Sequence, residues 1–170
     1  MFCEVDKMIV SSSAEAVSAL KEKCLTLATA ESCTGGLAAK LVTDISGSSV
    51  VFKGGVVSYS NDVKTGVLGV SEETLATHGA VSEETAREMA LGVREKLGAD
   101  IAVSTTGIAG PTGGVPGKPV GTVCFGVASK YGVETFTEHF GENLSRDNIR
   151  SNAADFALRL VARECVKFEG

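Results

Sequence analysis

The chain has 170 residues, enough for one domain with a full core. It is 44% hydrophobic and 22% charged but only 5% aromatic with no Trp, so its core must be built from Val, Ile, Leu and Ala. The net charge of −5, with no block of Lys or Arg, argues against a nucleic-acid partner and leaves small anions to local sites.

Residues 1–10, MFCEVDKMIV, read as a loose, acidic lead-in without a signal-peptide core, and the domain proper as 11–170. A helix is expected over 13–23, with Val17, Leu20 and Cys24 on one face. LTLATA at 25–30 reads as a buried strand, and a helix should start at Thr34 and run to Thr43. Residues 50–59, VVFKGGVVSY, read as a strand kinked at its Gly-Gly pair. Asn61 should cap a short helix and Ser71 should begin another. The helix over 83–97 has the clearest signals: Ser82 as N-cap, Glu83 and Glu84 in the first turn, an apolar stripe through Met89 and Val93, and Gly98 as the stop. A buried strand follows over 100–107, then a hairpin of 120–128 and 132–140 around Lys130, Tyr131 and Gly132. A final helix runs over 146–162, with Ile149, Ala153, Phe156 and Leu160 inward. Alternating helices and short apolar strands imply a single α/β domain of three layers, α/β/α, with a mixed, mostly parallel sheet.

No segment is long or apolar enough to cross a bilayer, which points to the cytoplasm and away from a membrane partner. The five cysteines, 3, 24, 33, 124 and 165, form no C-x-x-C pair and read as free thiols, mostly buried.

Three polar loops follow strands: 31–36, 59–64 and the Gly- and Pro-rich 107–121. If their strands are parallel neighbours, the loops converge on one cleft at the carboxyl ends. In the first of them, ESCTGG, Ser32 is either a helix cap or a nucleophile. Nearby glycines let backbone N–H groups approach a ligand, and a helix start favours negative charge. The G-x-S-x-G elbow is absent, because Ala30 and Thr34 occupy the glycine positions. Cys33 is the adjacent rival, either a small buried thiol or one with a pKa lowered at a helix N-terminus. Of the two histidines, His78 reads as a helix-end residue and His139 as a strand residue, so neither is a natural base for Ser32.

Ser-Lys chemistry is then the natural option, with Lys64, in the first turn of the helix after Asn61, either that base or an exposed lysine. Lowering a lysine from about 10.4 to 7–8 takes roughly 4 kcal/mol, and a helix dipole supplies at most about 2 kcal/mol, so burial or a second cation must contribute. Arg146 and Arg150, spaced i, i+4 at the start of the last helix, share a face; they are either solvated or placed to meet an anion such as phosphate. No metal-ligand spacing and no P-loop occurs, and no metal or organic cofactor is expected.

The stretches ESCTGGLAAKL (31–41), GSSVVFKGGVVSYSNDVK (47–64), GAVSEETAREMA (79–90), TGIAGPTGG (106–114) and KPVGTV (118–123), with the arginine pair, resemble the C-terminal domain of the competence/damage-inducible CinA proteins, the nicotinamide-nucleotide amidohydrolase family. The resemblance implies a three-layer α/β/α fold and hydrolysis of nicotinamide mononucleotide to nicotinic acid mononucleotide and ammonia, in pyridine nucleotide salvage. Many members carry a further N-terminal domain, and a homo-oligomer is compatible with the family. Carried over by motif, Ser32 is the nucleophile, Lys64 its base, and Tyr59 and Thr106 complete the catalytic group. Thr34, Gly35, Gly36, Asn61 and Gly107 would line the substrate, with backbone N–H groups of 34–36 facing the oxyanion. Arg146, with Arg150 beside it, faces the phosphate, although GENLSRDNIR departs from the family's usual spacing before the arginines. The competing classes are a non-catalytic nucleotide-binding module and a competence-related interaction protein.

Overall fold

The computed structural model describes the backbone of residues 2–169 and the side chains of residues 12–169. Among the described residues, six α-helices and five strands follow one another as α1 (Phe2–Glu22), β1 (Leu27–Glu31), α2 (Leu37–Thr43), β2 (Phe52–Val57), α3 (Asn61–Gly66), α4 (Glu72–His78), α5 (Glu83–Leu97), β3 (Ile101–Gly107), β4 (Thr122–Ser129), β5 (Gly132–His139) and α6 (Arg146–Cys165), with a 3-10 turn, Ser48–Val50, before β2.

The strands form one sheet in the order β2-β1-β3-β4-β5. β1 pairs in parallel with both β2 and β3, while β3–β4 and β4–β5 are antiparallel, so β4 alone runs against the other four. α1, α2 and α6 cover one face, where Val17, Leu20, Leu27, Val103, Phe125 and Leu158 share a core. α5 covers the other, packing Met89 and Val93 against Ala28, Ala30 and Ala102, with Leu68 and Val70 beside them. This is the expected three-layer mixed architecture. Fully burying a side chain such as Met89 contributes about 1.5–3 kcal/mol.

The order places a topological switch at β1. The chain leaves β1 to one side to make β2 and returns on the other side to make β3. The connections lie on opposite faces, α2 on one and α3 to α5 on the other. A crevice therefore opens at the carboxyl end of β1, the position where open α/β sheets bind ligands.

Several boundaries differ from expectation. The segment over 2–10, expected to be loose, continues α1, consistent with a stretch holding neither Gly nor Pro; the side chain of Cys3 lies outside the described residues. Cys24 falls beyond the helix rather than on its inner face, exposed and at φ 53. The second helix begins at Leu37, not Thr34, because residues 33–36 form a turn. Ser60, not Asn61, caps α3, its hydroxyl accepting from Val63 N. The capping of α4 by Ser71 and of α5 by Ser82 is as expected.

One glycine fixes how α5 meets the chain after α3. A Cβ on Gly92 would stand 1.8 Å from the Leu68 carbonyl oxygen, while one on Gly66 would meet nothing within 4 Å. Gly92→Ala should lower unfolding free energy by about 1–3 kcal/mol through forced separation. Gly66→Ala should hold it or raise it by up to about 1 kcal/mol. Urea unfolding of the two variants against the parent checks the contrast.

Candidate active site

The parallel ladders continue one residue past the end of β1. Ser32 N donates to Thr105 O at 2.9 Å and Ser58 N donates to Glu31 O at 2.8 Å. Ser32 is thereby fixed between the ends of β2 and β3. Alternation puts its side chain on the face of Ala28 and Ala30, the α5 side. Lys64, from α3, closes over that point. It is 1% exposed, and its Nζ donates to Ser32 Oγ at 3.0 Å and to Ser58 O at 2.7 Å.

The amine lies below the ordinary lysine range because burial disfavours its charged form, with the neighbouring Cys33 pulling weakly the other way. The first turn of α3 is not the principal cause. No carboxylate among the described residues pairs with Lys64, so nothing restores the charge. A neutral amine 3.0 Å from a hydroxyl is a ready acceptor for its proton. The structure also removes the capping alternative for Ser32, since α2 begins five residues later and Gly36 stands at its N-cap.

Cys33 does not behave as a helix-end thiol. It is buried, and burial first of all pushes its pKa up to about 12. Neither histidine reaches the pair. His139 Nδ1 lies 3.1 Å from Thr122 Oγ1, and His78 Nδ1 3.4 Å from Glu84. Both line a separate cavity of about 340 Å³ with Glu83, Lys118 and Cys124.

The turn after Ser32 is tightly specified. Gly35 N donates to Ser32 O at 3.0 Å. Gly35 and Gly36 adopt φ values of 60 and 94, a left-handed reversal that glycine makes without steric cost. Gly36 N donates to Glu31 Oε2 at 3.1 Å. The expectation that N–H groups of 34–36 face an oxyanion is thus corrected. Those of Gly35 and Gly36 already have acceptors within the turn. That of Thr34 has none among the described residues.

The arginines share a face as expected, yet both hold backbone. Arg150 donates from Nε to Cys33 O at 3.2 Å and from Nη2 to Thr34 O at 2.9 Å. Arg146 donates from Nη1 to Gly110 O at 2.8 Å and from Nη2 to the Tyr59 hydroxyl at 2.9 Å. Tyr59 is 61% exposed, so the Arg146–Tyr59 contact stands at the mouth of the crevice. Thr106 is buried, its hydroxyl donating to Ala80 O at 2.6 Å. Gly107 ends β3, and Asn61 is an exposed first residue of α3. No group of three or more His, Cys, Asp or Glu among the described residues is arranged to hold a metal.

Residues 10–165 match the model of the CinA C-terminal domain. The chain belongs to the CinA C-terminal domain family. It is 52% identical to the nicotinamide-nucleotide amidohydrolase PncC of Enterobacter agglomerans over 163 residues, 95% of this chain and 98% of that one. It is 62% identical to a CinA-like protein of Chloroherpeton thalassium over 121 residues, 70% of this chain but 29% of that protein. A competence-damage inducible protein of Symbiobacterium thermophilum is 50% identical over 85% of this chain and 35% of its own length. The chain therefore spans about a third of those two relatives. Among solved structures, a CinA superfamily protein of Klebsiella pneumoniae superposes with a TM-score of 0.89 at 34% identity, over 94% of this chain and 99% of that one. The competence/damage inducible protein of Agrobacterium tumefaciens does so with 0.87 at 42%, over 90% and 93%.

One CinA-domain residue at this site escaped sequence reasoning. Glu31, the last residue of β1, is 1% exposed and accepts four hydrogen bonds from the chain that follows it. Its signal was an acid ending an apolar strand just before a Gly-Gly turn.

The thiols give a direct check. With a pKa near 12, Cys33 carries thiolate at about one part in 10⁴ at pH 8. Iodoacetamide at that pH should modify the exposed Cys24 in the native protein, and Cys33 only after denaturation. Residue-resolved mass spectrometry reads the order.

Proposed function

We propose that this chain hydrolyses the carboxamide of nicotinamide mononucleotide to the carboxylate, releasing ammonia, through the Ser32–Lys64 pair. The observation that carries the reading is the 3.0 Å contact between the Lys64 amine, buried and without a counter-ion, and the Ser32 hydroxyl. The near full-length similarity to an enzyme named nicotinamide-nucleotide amidohydrolase supplies the substrate class.

In this reading Ser32 Oγ attacks the carboxamide carbon as Lys64 Nζ takes the hydroxyl proton. The carbon–oxygen double bond opens to a tetrahedral oxyanion, met by the open backbone N–H of Thr34. Lys64 returns the proton to the amide nitrogen, ammonia leaves, and an acyl ester on Ser32 remains. Water, deprotonated by the same amine, then hydrolyses the ester. Thr106 completes the wall beside Ser32. Tyr59 and Arg146 receive the far end of the nucleotide, Arg146 trading its hydroxyl partner for phosphate. Arg150 stays with the turn rather than the ligand. A cytoplasmic setting goes with this reading, in keeping with the free cysteines among the described residues.

Ser32→Ala should lower ammonia release by about 10⁴-fold or more, whereas Cys33→Ala should retain most of it. Because the neutral amine is the active form, kcat should rise with pH through a midpoint below the ordinary lysine value of about 10.4 and then level off. Lys64→Arg, always protonated, should be inactive at every pH. Normal kcat in Lys64→Arg would remove the general base.

Arg146 tests the substrate's far end. A charge-assisted hydrogen bond contributes about 1.5–3 kcal/mol, so Arg146→Ala should lower kcat/KM for the mononucleotide roughly 10- to 100-fold more than for nicotinamide riboside. Equal losses on both substrates would deny Arg146 the phosphate.

A further inference from the structure

We infer that Glu31 is a positioning residue for the nucleophile, an inference that rests on the reading of Ser32 given above. Its carboxylate holds the turn 32–36 in the one shape that leaves Thr34 N–H open beside Ser32.

Glu31 precedes Ser32, and every group it binds follows Ser32. Oε2 accepts from Thr34 Oγ1 at 2.6 Å, from Gly36 N at 3.1 Å and from Ala38 N at 3.0 Å, and Oε1 accepts from Ala39 N at 2.8 Å. The side chain thus closes a ring around the nucleophile. Thr34 gives its only hydroxyl proton to the carboxylate, so the 2.7 Å contact with Thr105 Oγ1 is donated by Thr105, tying the ring to β3.

A second clamp acts from the other side. Arg150 draws the carbonyls of Cys33 and Thr34 toward α6. In a trans peptide the C=O and N–H point in opposite directions. Turning the Cys33 carbonyl to Arg150 therefore turns Thr34 N–H away from it. The next peptide behaves this way visibly, because Gly35 N–H, opposite the Thr34 carbonyl, meets Ser32 O. With Gly35 and Gly36 N–H occupied, Thr34 N–H is the donor this arrangement leaves open.

Capping α2 would not by itself require this geometry. An ordinary N-cap is a Ser, Thr, Asn or Asp at the cap position. Here the cap position is Gly36 with no side-chain bond, and the acceptor comes from five residues back, across the nucleophile. Burying a carboxylate is costly unless its donors are all fixed, so the turn has little freedom while Glu31 is in place.

The test compares Glu31→Gln and Thr34→Val with the parent in two assays. One measures kcat and KM on nicotinamide mononucleotide. The other measures the rate at which a fluorophosphonate modifies Ser32, with competent sites counted by mass. Glu31→Gln keeps the size but replaces one acceptor oxygen by a donor. It should lower kcat about 100-fold, leave KM within about 3-fold, and slow phosphonylation by a similar factor per folded site. Thr34→Val removes one of the four bonds and should lower kcat about 10-fold, again with little change in KM. A folded Glu31→Gln protein with parental kcat overturns the inference. So does a deficit that only tracks the unfolded fraction, with surviving sites phosphonylated at the parental rate. Should Glu31→Gln fail to fold, Thr34→Val decides in the same way. A parent that releases no ammonia but is phosphonylated at Ser32 sinks the substrate reading alone, and the phosphonylation rates still judge Glu31. A parent that is not modified at Ser32 overturns both.

Discussion

A lysine amine buried among uncharged groups is the constraint around which this site is arranged. Water stabilises an ammonium ion far better than a hydroxyl and one carbonyl can, so the fold favours the neutral amine. Lys64 meets Ser32 Oγ and Ser58 O, with no carboxylate among the described residues paired to it. A carboxylate at that point would favour the charged form and work against the base role proposed for it. The nearest acidic side chain in the motif, Glu31, ends β1 with its oxygens directed at the start of α2. One residue of strand alternation thus turns the Glu31 side chain away from the side on which Lys64 meets Ser32.

The sheet order makes this separation achievable. Because β1 lies between β2 and β3 at the switch point, the Glu31–Ser32 peptide at its end is gripped on both sides by strand-end backbone, Glu31 O by Ser58 N and Ser32 N by Thr105 O. Ser32, the proposed nucleophile, rests on two ladders, and the turn after it is defined by side chains. Glu31 and Arg150 do so from opposite sides, one taking N–H groups and the other carbonyls. Rigid positioning of this kind is what allows a weakly acidic hydroxyl to react at all.

The sequence was most informative where local chemistry decides the outcome. Ser82, Gly98 and the stripe through Met89 and Val93 defined α5 to the residue, because capping and periodicity are properties of neighbours in the chain. The three-layer fold followed from element order and apolar runs, whereas the convergence of the three loops depended on a parallel β2-β1-β3 order that only the tertiary structure supplies. Thr34 as a helix start failed because Glu31, a strand residue, caps α2 from behind the turn and lets two left-handed glycines intervene. Asn61 failed as a cap because Ser60 sits one residue earlier with an equally good oxygen. Lys64 was recognisable as a base candidate, but its real cause, burial, needs the tertiary structure; the helix dipole was only a proxy. Cys33 illustrates the same point in reverse, since the thiol lies beside the turn yet is governed by desolvation.

Arg146 and Arg150 were legible as a pair and illegible as individuals. Two cations in the first turns of α6 oppose its dipole, partly answered by the Ser145 cap and by Asp147. Four residues of helix advance about 6 Å. That span carries one guanidinium from the turn after β1 to the loop after β3. Arg150, deeper along the helix, is taken up by the two carbonyls next to the nucleophile. Arg146, at the first helical residue, bridges Gly110 O and the exposed Tyr59 hydroxyl. The two arginines thus differ in what an incoming anion would have to displace. At Arg150 it would break the bonds that orient Thr34 N–H, and so damage the chemistry it needs. At Arg146 it would displace only a phenol at the rim, which water can satisfy equally well. On the proposed reading, the same helix braces the turn after Ser32 with Arg150 and leaves Arg146, at the rim, available to ligand.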